Sequence, residues 1–345
     1  MEIPTTCDVA IVGGGFAGLA TARALARRGI AAIVLEREPG LGRFASGRSA
    51  GLGRQLAEDD ATSALTIRGA AILRGDPAAV WQPCGGILSF DDPAAADVYA
   101  ARAARLGVAV ERLDRGGVAA HWPGAVGLPG AVGLPIAAAL HVPSDGVIDV
   151  AGLLAALARG VRVACGAGVE RLEPAGRGAR LTTRRGAVEV RVVVDAAGAW
   201  AGALTGDAPL ASFKRHVYVV EAVAAAGAPY LWHLGAGEVY ARGDAGGLLV
   251  SPCDATVTAP ADQQPDAAGE AALRSRLAGS GWRGAQIVRS WACQRAFTAD
   301  RRMRLGRDPA RPWLVWAAGL GGHGATAAGA VGESVAEACV EALAG

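Results

Sequence analysis

Lysine and asparagine are nearly absent from this chain. Lys214 is the one lysine among 34 basic residues, and there is no asparagine at all. A GC-rich coding sequence is reason enough for that bias, and it leaves no Asn-x-Ser/Thr glycosylation site. The six cysteines (Cys7, Cys84, Cys165, Cys253, Cys293, Cys339) lie far apart with no C-x-x-C pair. That spacing excludes a disulfide framework and a zinc cluster, and no metal site is expected. Net charge is only +2 and aromatics are 5%, with no basic stripe interleaved with rings, so no nucleic-acid partner is expected. The apolar runs at 136–140 and 151–158 are too short to span a bilayer. Residues 1–8 are polar and lead straight into a strand pattern, so a signal peptide is not expected and a soluble, cytoplasmic protein is. Hydrophobic residues at 52% against 19% charged exclude a largely disordered chain.

Glycine, by contrast, is abundant, with 50 in 345 residues and no three-residue period. A collagen-like chain is thereby excluded, and the glycines must serve turns, caps and close approaches. The clearest use comes first. Residues 7–12, CDVAIV, read as a short buried strand running into Gly13-Gly14-Gly15-Phe16-Ala17-Gly18. A helical pattern follows from 16 to 28 with Leu19, Ala22 and Leu25 on one face, then Gly29 at a C-cap position, then a second strand at 31–35 ending at Glu36. Strand, G-x-G-x-x-G, helix, strand and acid within one βαβ unit predict a dinucleotide site. Gly13 permits the turn, Gly15 lets the backbone approach a pyrophosphate, and Gly18 lets helix and strand pack closely. The helix N-terminus offers N–H groups to phosphate, and Glu36 can accept from ribose hydroxyls while repelling a 2′-phosphate.

The fingerprint alone does not separate FAD from NAD, and three further segments bear on the choice. Residues 42–53, GRFASGRSAGLG, form a second Gly/Ser-rich loop able to donate to a long cofactor. Residues 192–200, VVVDAAGAW, read as a buried strand ending in a small-residue turn. Residues 313–324, WLVWAAGLGGHG, are another strand-to-glycine loop that opens a helix at 325–343 with Thr326 in its first turn. That second helix N-terminus can face an anionic group such as a reduced flavin ring. His323, between glycines in this loop, titrates near neutrality and is a candidate to contact a substrate amine or the flavin.

With these segments in hand, the chain resembles the D-amino-acid oxidase superfamily of FAD-dependent oxidoreductases, most of all its D-arginine dehydrogenase and glycine-oxidase-like branch. The resemblance covers nearly the whole chain. Besides Gly13–Gly18 with Glu36, it rests on 46–51, PSDGVID at 143–149, VVVDAAGAW, VYARGDAGGLLVSP at 239–252, WACQRAF at 291–297 and GLGGHG at 319–324. It implies bound FAD held by Gly13, Gly15, Gly18, Glu36, Arg37, Ser46, Ser49, Gly51, Gly322, Gly324 and Thr326, with Val169 meeting the adenine through its backbone. It also implies that Arg295 grips a substrate carboxylate, that Arg215 (with Lys214 as its one-residue rival) is a second basic group facing the substrate, and that Tyr240 reaches the carboxylate through its hydroxyl. His121, His141, His216 and His233 are read as structural. The sequence departs from the D-arginine dehydrogenase type at Leu52, where that type carries a histidine, and near Ala57, where its lid tyrosine has no counterpart. A cationic substrate side chain would need a buried acid, for which Glu58, Asp59 and Asp60 are the candidates.

The implied fold is α/β: a Rossmann-type FAD-binding domain, glutathione-reductase-like, with a discontinuous α+β substrate domain on a mixed or antiparallel sheet. The three cofactor-facing segments assign 1–75, 145–205 and 300–345 to the first and 76–144 and 206–299 to the second. Strands are expected at 86–90, 213–223, 237–241 and 248–252, and a helix at 94–106. The tandem repeat GAVGLP at 124–129 and 130–135 is read as a loop, with a lid as the alternative. The implied reaction is oxidation of the C–N bond of a small D-amino acid, glycine or N-alkyl amino acid by hydride transfer from Cα to flavin N5. The imine then hydrolyses to a 2-oxo acid, and electrons pass to oxygen, a quinone or another carrier. The alternatives are a 2-hydroxy-acid dehydrogenase of the same fold, a nicotinamide-dependent dehydrogenase, and a non-catalytic FAD-binding partner subunit.

Overall fold

The structure is a computed structural model describing residues 2–125, 133–207, 210–222 and 224–345. Most of the GAVGLP repeat, and with it any lid, lies outside the described residues, as does Val223 at the end of one expected strand.

Two large sheets organise the molecule. The first has eight strands around a parallel core in the order Val163–Ala164, Ala32–Leu35, Thr6–Val12, Gly186–Asp195 and Leu314–Ala318. These strands are nearly continuous apolar runs because both faces are covered. Val9, Ile11, Val34, Val192, Val194 and Val315 face the helices Phe16–Arg27 and Gly324–Ala344. The alternate residues Ala10, Val12, Ile33, Val193 and Trp316 pack in a separate cluster on the other face, with Leu181 and Val188 of the adjoining hairpin. A Cβ at Gly332 would overlap the Ala20 backbone, so small residues set the closeness of the two helices. No helix among the described residues is long and apolar enough to cross a membrane.

The second sheet has nine strands. At one end is the long antiparallel pair Ile287–Phe297, the edge strand, and Ala211–Val220. Gly247–Ser251, Val239–Asp244 and Tyr230–Leu234 follow antiparallel, and then Gly86–Phe90 joins in parallel, so the sheet is mixed. A three-stranded antiparallel sheet, Leu52–Gly53, Gly146–Ile148 and Trp81–Pro83, lies between. The expected strands and helices fall within a few residues of the observed ones; the helix expected at 94–106 is Pro93–Leu106.

In a chain without asparagine, aspartate does the N-capping. Asp59, Asp92, Asp114, Asp149 and Asp266 each accept an N–H in the first turn of their helix. Among the α-helices of the described residues, only Phe16–Arg27 and Gly324–Ala344 start without a side-chain cap of their own, on Gly15 and His323.

Candidate active site

Those two uncapped helix starts open onto one cavity of about 690 Å³ between the sheets. Gly13 sits at φ +108, and a Cβ there would lie 2.5 Å from the Ala196 carbonyl oxygen. Gly15 has ordinary backbone angles, but a Cβ would stand 2.9 Å from Ser46 Oγ. Ser46 Oγ in turn accepts the Phe16 N–H at 3.0 Å, which ties the Gly/Ser loop to the helix start. A Cβ at Gly18 would overlap the Gly13 carbonyl oxygen. Gly18 does not line the cavity, and its role is the close helix–strand contact. Glu36 holds the turn with both oxygens, accepting from Gly14 N at 2.6 Å and Glu38 N at 2.8 Å. A carboxylate has lone pairs beyond these two for a ribose.

Glu36, Arg37 and Val169 line one region of the cavity with Trp200 and Phe44, the Arg37 guanidinium lying 4.5 Å over the Trp200 ring. Ser49, Gly51, Gly322, Gly324 and Thr326 line it as well. Thr326 Oγ1 donates to the Leu52 carbonyl at 3.1 Å and joins the second helix start to the Gly/Ser loop. The residues therefore fit a dinucleotide: an acid where a ribose is expected, close-approach glycines where a pyrophosphate is expected, and two helix N-termini left for anionic groups.

Arg295, Arg215, Tyr240 and His323 all line the same cavity. Arg295 makes no hydrogen bond or ion pair to any described residue, and its Nε is sealed from solvent without a partner. Burial, with Arg215 nearby, pushes its pKa down to about 10, so it remains charged at neutral pH. Its side chain packs against the glycine loop, since a Cβ at Gly322 would lie 3.0 Å from Arg295 Cδ. Arg215 is 3% exposed and donates to the Cys253 carbonyl at 2.8 Å and the Asp254 carbonyl at 3.3 Å. Lys214 is not a lining residue; its Nζ pairs with Asp266 at 2.6 Å. Burial pushes the Tyr240 phenol well above its usual range, and the Cys253 thiol up to about 12, so both stay protonated.

The sequence did not single out Arg54. It is 2% exposed, its guanidinium lies 4.0 Å over the Trp232 ring, and its Nη2 meets Glu58 Oε1 at 2.6 Å. Its Nε and Nη1 are sealed without partners. Glu58 Oε2 also meets His323 Nε2 at 3.0 Å. Desolvation works against the Glu58 charge even though its side chain is 59% exposed, but Arg54 and His323 outweigh it and hold the carboxyl below the usual range. Of the three adjacent acids, Glu58 is thus the one in this cluster. Asp59 also lines the cavity but caps a helix through Thr62 N, and Asp60 binds Arg102 and Arg105. Behind Arg54, the buried Asp145 of the PSDGVID segment accepts from Tyr230 OH at 2.5 Å, Gln55 Nε2 at 2.8 Å and Gln55 N at 3.1 Å. Asp195 of VVVDAAGAW holds its turn through Ala197 N and Gly202 N. His216 and His233 are buried in hydrogen-bonded settings outside the cavity lining.

The solved structure of L-proline dehydrogenase from P. horikoshii superposes with a TM-score of 0.86 at 21% identity, covering 97% of this chain and 93% of that one. Glycine oxidase from Geobacillus kaustophilus gives 0.82 at 26% identity, covering 98% and 95%. NikD, an amino acid oxidase essential for nikkomycin biosynthesis, gives 0.79 at 23% identity, covering 98% and 95%. No protein of curated function matches the chain. The sequence model of the family described as DAO, FAD dependent oxidoreductase, matches residues 8–338. With that match over nearly its whole length, and a cavity whose glycines, acid and open helix starts suit FAD, the chain belongs to the DAO family of FAD-dependent oxidoreductases.

Proposed function

We propose that the protein oxidises the C–N bond of a small α-amino acid, whether a D-amino acid, glycine or an N-alkyl amino acid. The imine product takes up water and breaks down to a 2-oxo acid and an amine. The observation that carries this reading is Arg295, a guanidinium in the cavity with no hydrogen-bond or ion-pair partner among the described residues. A partly buried cation without an ion-pair partner is costly unless a ligand anion completes it, and a carboxylate meets a guanidinium through two parallel hydrogen bonds. FAD, when bound, supplies the two-electron acceptor. The chain's own groups bind and orient the substrate. Arg295 takes the carboxylate, and Tyr240 lines the same cavity with a protonated hydroxyl able to donate to it. His323 directly follows Gly322, against which Arg295 packs, and its Glu58 partner is an ionised carboxylate suited to an incoming ammonium.

The test is anaerobic mixing of the holoenzyme with D-, L- and N-methyl amino acids while flavin absorbance is followed. Arg295→Ala should slow reduction at low substrate at least about 30-fold, since losing one partner of a desolvated charge pair costs about 2–5 kcal/mol. Arg295→Lys should recover only part, because an ammonium lacks the planar fork. Wild type should strongly prefer an amino acid over its decarboxylated amine, and the Ala variant should lose most of that preference. Equal rates in wild type and Arg295→Ala would refute the assignment.

A further inference from the structure

We propose that the substrate carries two carboxylates, as an acidic α-amino acid or an N-carboxyalkyl amino acid does, with Arg215 taking the second. This rests on the reading that Arg295 takes the first. The antiparallel register pairs Phe213 with Arg295 and Arg215 with Cys293. Residues 213 and 215 share a face, so both arginines point to one side, a diagonal step apart on adjacent strands. Lys214, one residue away, points to the other face. Both guanidiniums line the cavity, and no carboxylate forms an ion pair with either one among the described residues. One monocarboxylate is satisfied by one guanidinium fork. The second cation then has no ion-pair partner among the described residues.

The other charges around this pair do not remove the excess. Glu238 lines the cavity and its charge favours both arginines from a distance, so it offsets one positive charge, but it accepts the Trp232 indole N–H at 2.9 Å and ion-pairs with neither arginine among the described residues. Arg54 and Glu58 neutralise each other. Arg301 adds a further cation to the lining. Arg215 is also deliberately aimed. Its Nε and Nη2 are held by the carbonyls of Asp254 and Cys253, and Nη1 makes no hydrogen bond to any of the described residues. Cys253 sits at φ 53, a left-handed conformation that a non-glycine residue adopts at a cost. Ser251 Oγ accepts its N–H, and Asp254 is clamped by His216 through Nδ1 at 2.7 Å and the backbone N–H at 2.8 Å. A strained, clamped turn that fixes one planar cation is a support for ligand binding rather than simple packing.

The test titrates the holoenzyme with non-oxidisable acids, reading the flavin visible spectrum. Malonate, succinate and glutarate are compared with acetate, propionate and butyrate. The best diacid should bind at least about tenfold more tightly than its monoacid counterpart, the scale of one added charge-assisted contact. In Arg215→Gln that ratio should fall to about one, and in Arg215→Lys it should be intermediate; FAD content and Tm of each variant report folding. Anaerobic flavin reduction by aspartate, glutamate and N-carboxymethylglycine should likewise outpace alanine and N-methylglycine at low concentration. No diacid preference in wild type, or equal weakening of both acid classes in Arg215→Gln, would overturn the proposal. Diacid binding requires no turnover. Selective binding without flavin reduction by any amino compound would therefore remove the oxidation reading and leave this one standing, while reduction by monocarboxylic amino acids without diacid preference would do the reverse.

Discussion

Asp145 shows how one buried side chain couples the site to pH. It has no solvent exposure, and burial is the largest influence on it, raising its pKa from 3.8 to about 6 despite three hydrogen bonds. An acid whose native pKa exceeds its unfolded value makes the folded state bind the extra proton between the two. Its contribution to stability is therefore complete below about pH 4 and is lost as pH rises toward 6. Holding the proton over that range is worth at most about 3 kcal/mol. Asp145→Asn cannot titrate, so its Tm relative to wild type should rise between pH 4 and pH 7; a constant Tm difference would show that Asp145 is ionised throughout. The same scale explains what could be read in the sequence. Gly13, Gly15 and Glu36 were legible because their task is local, within one βαβ unit. Arg54 was not. In a chain where nearly every basic residue is arginine, nothing local marks one as buried, and Trp232, on which it stacks, is far away in sequence. Glu58, Asp59 and Asp60 look alike in sequence, and only the position of helix Asp60–Arg74 separates cavity residue, cap and surface ion pair.

Among the elements, the contact between helices Asp60–Arg74 and Gly324–Ala344 controls the second helix start. A Cβ at Gly69 would overlap the Thr326 carbonyl and stand 2.8 Å from Ala327 Cα, both backbone atoms that cannot swing aside. Gly69→Ala should destabilise by about 1–3 kcal/mol through overpacking. Because Thr326 lines the cavity and bonds Leu52, the same change should weaken FAD retention, measured as flavin per protein after gel filtration. A Tm loss with full flavin content would separate the helix contact from the cofactor site. Elements with a strong period or a punctuating glycine were legible, as with helix Phe16–Arg27 and strand Gly86–Phe90. The two-residue strands Leu52–Gly53 and Val163–Ala164 were not, because their existence depends on partners far along the chain.

For the whole molecule, the cavity gathers residues from Val12 to Thr326, so a ligand filling it ties both sheets to one folded state. Saturating FAD at about 1,000 times its Kd would add about 4 kcal/mol. Stripped protein should thus melt several degrees lower than holoenzyme and be restored by FAD. FMN should restore little, because it lacks the adenylate for which we propose the cavity residues Glu36, Arg37 and Val169 as partners; equal rescue by FMN would relocate the cofactor.

Assembly of the parallel sheet also has an order in time. Strand Leu314–Ala318 lies beside Gly186–Asp195, and helix Gly324–Ala344 covers Phe16–Arg27, whose own residues are made about 300 positions earlier. At about 5–20 residues per second, the ribosome leaves Val9, Ile11 and Leu19 without their cover for roughly 15–60 s. The nascent chain must therefore carry an apolar, cofactor-incompetent half-domain for most of its synthesis. The rate of elongation through the middle of the message, and the chaperones present during it, should govern the yield of flavin-loaded protein as strongly as any residue in the cavity.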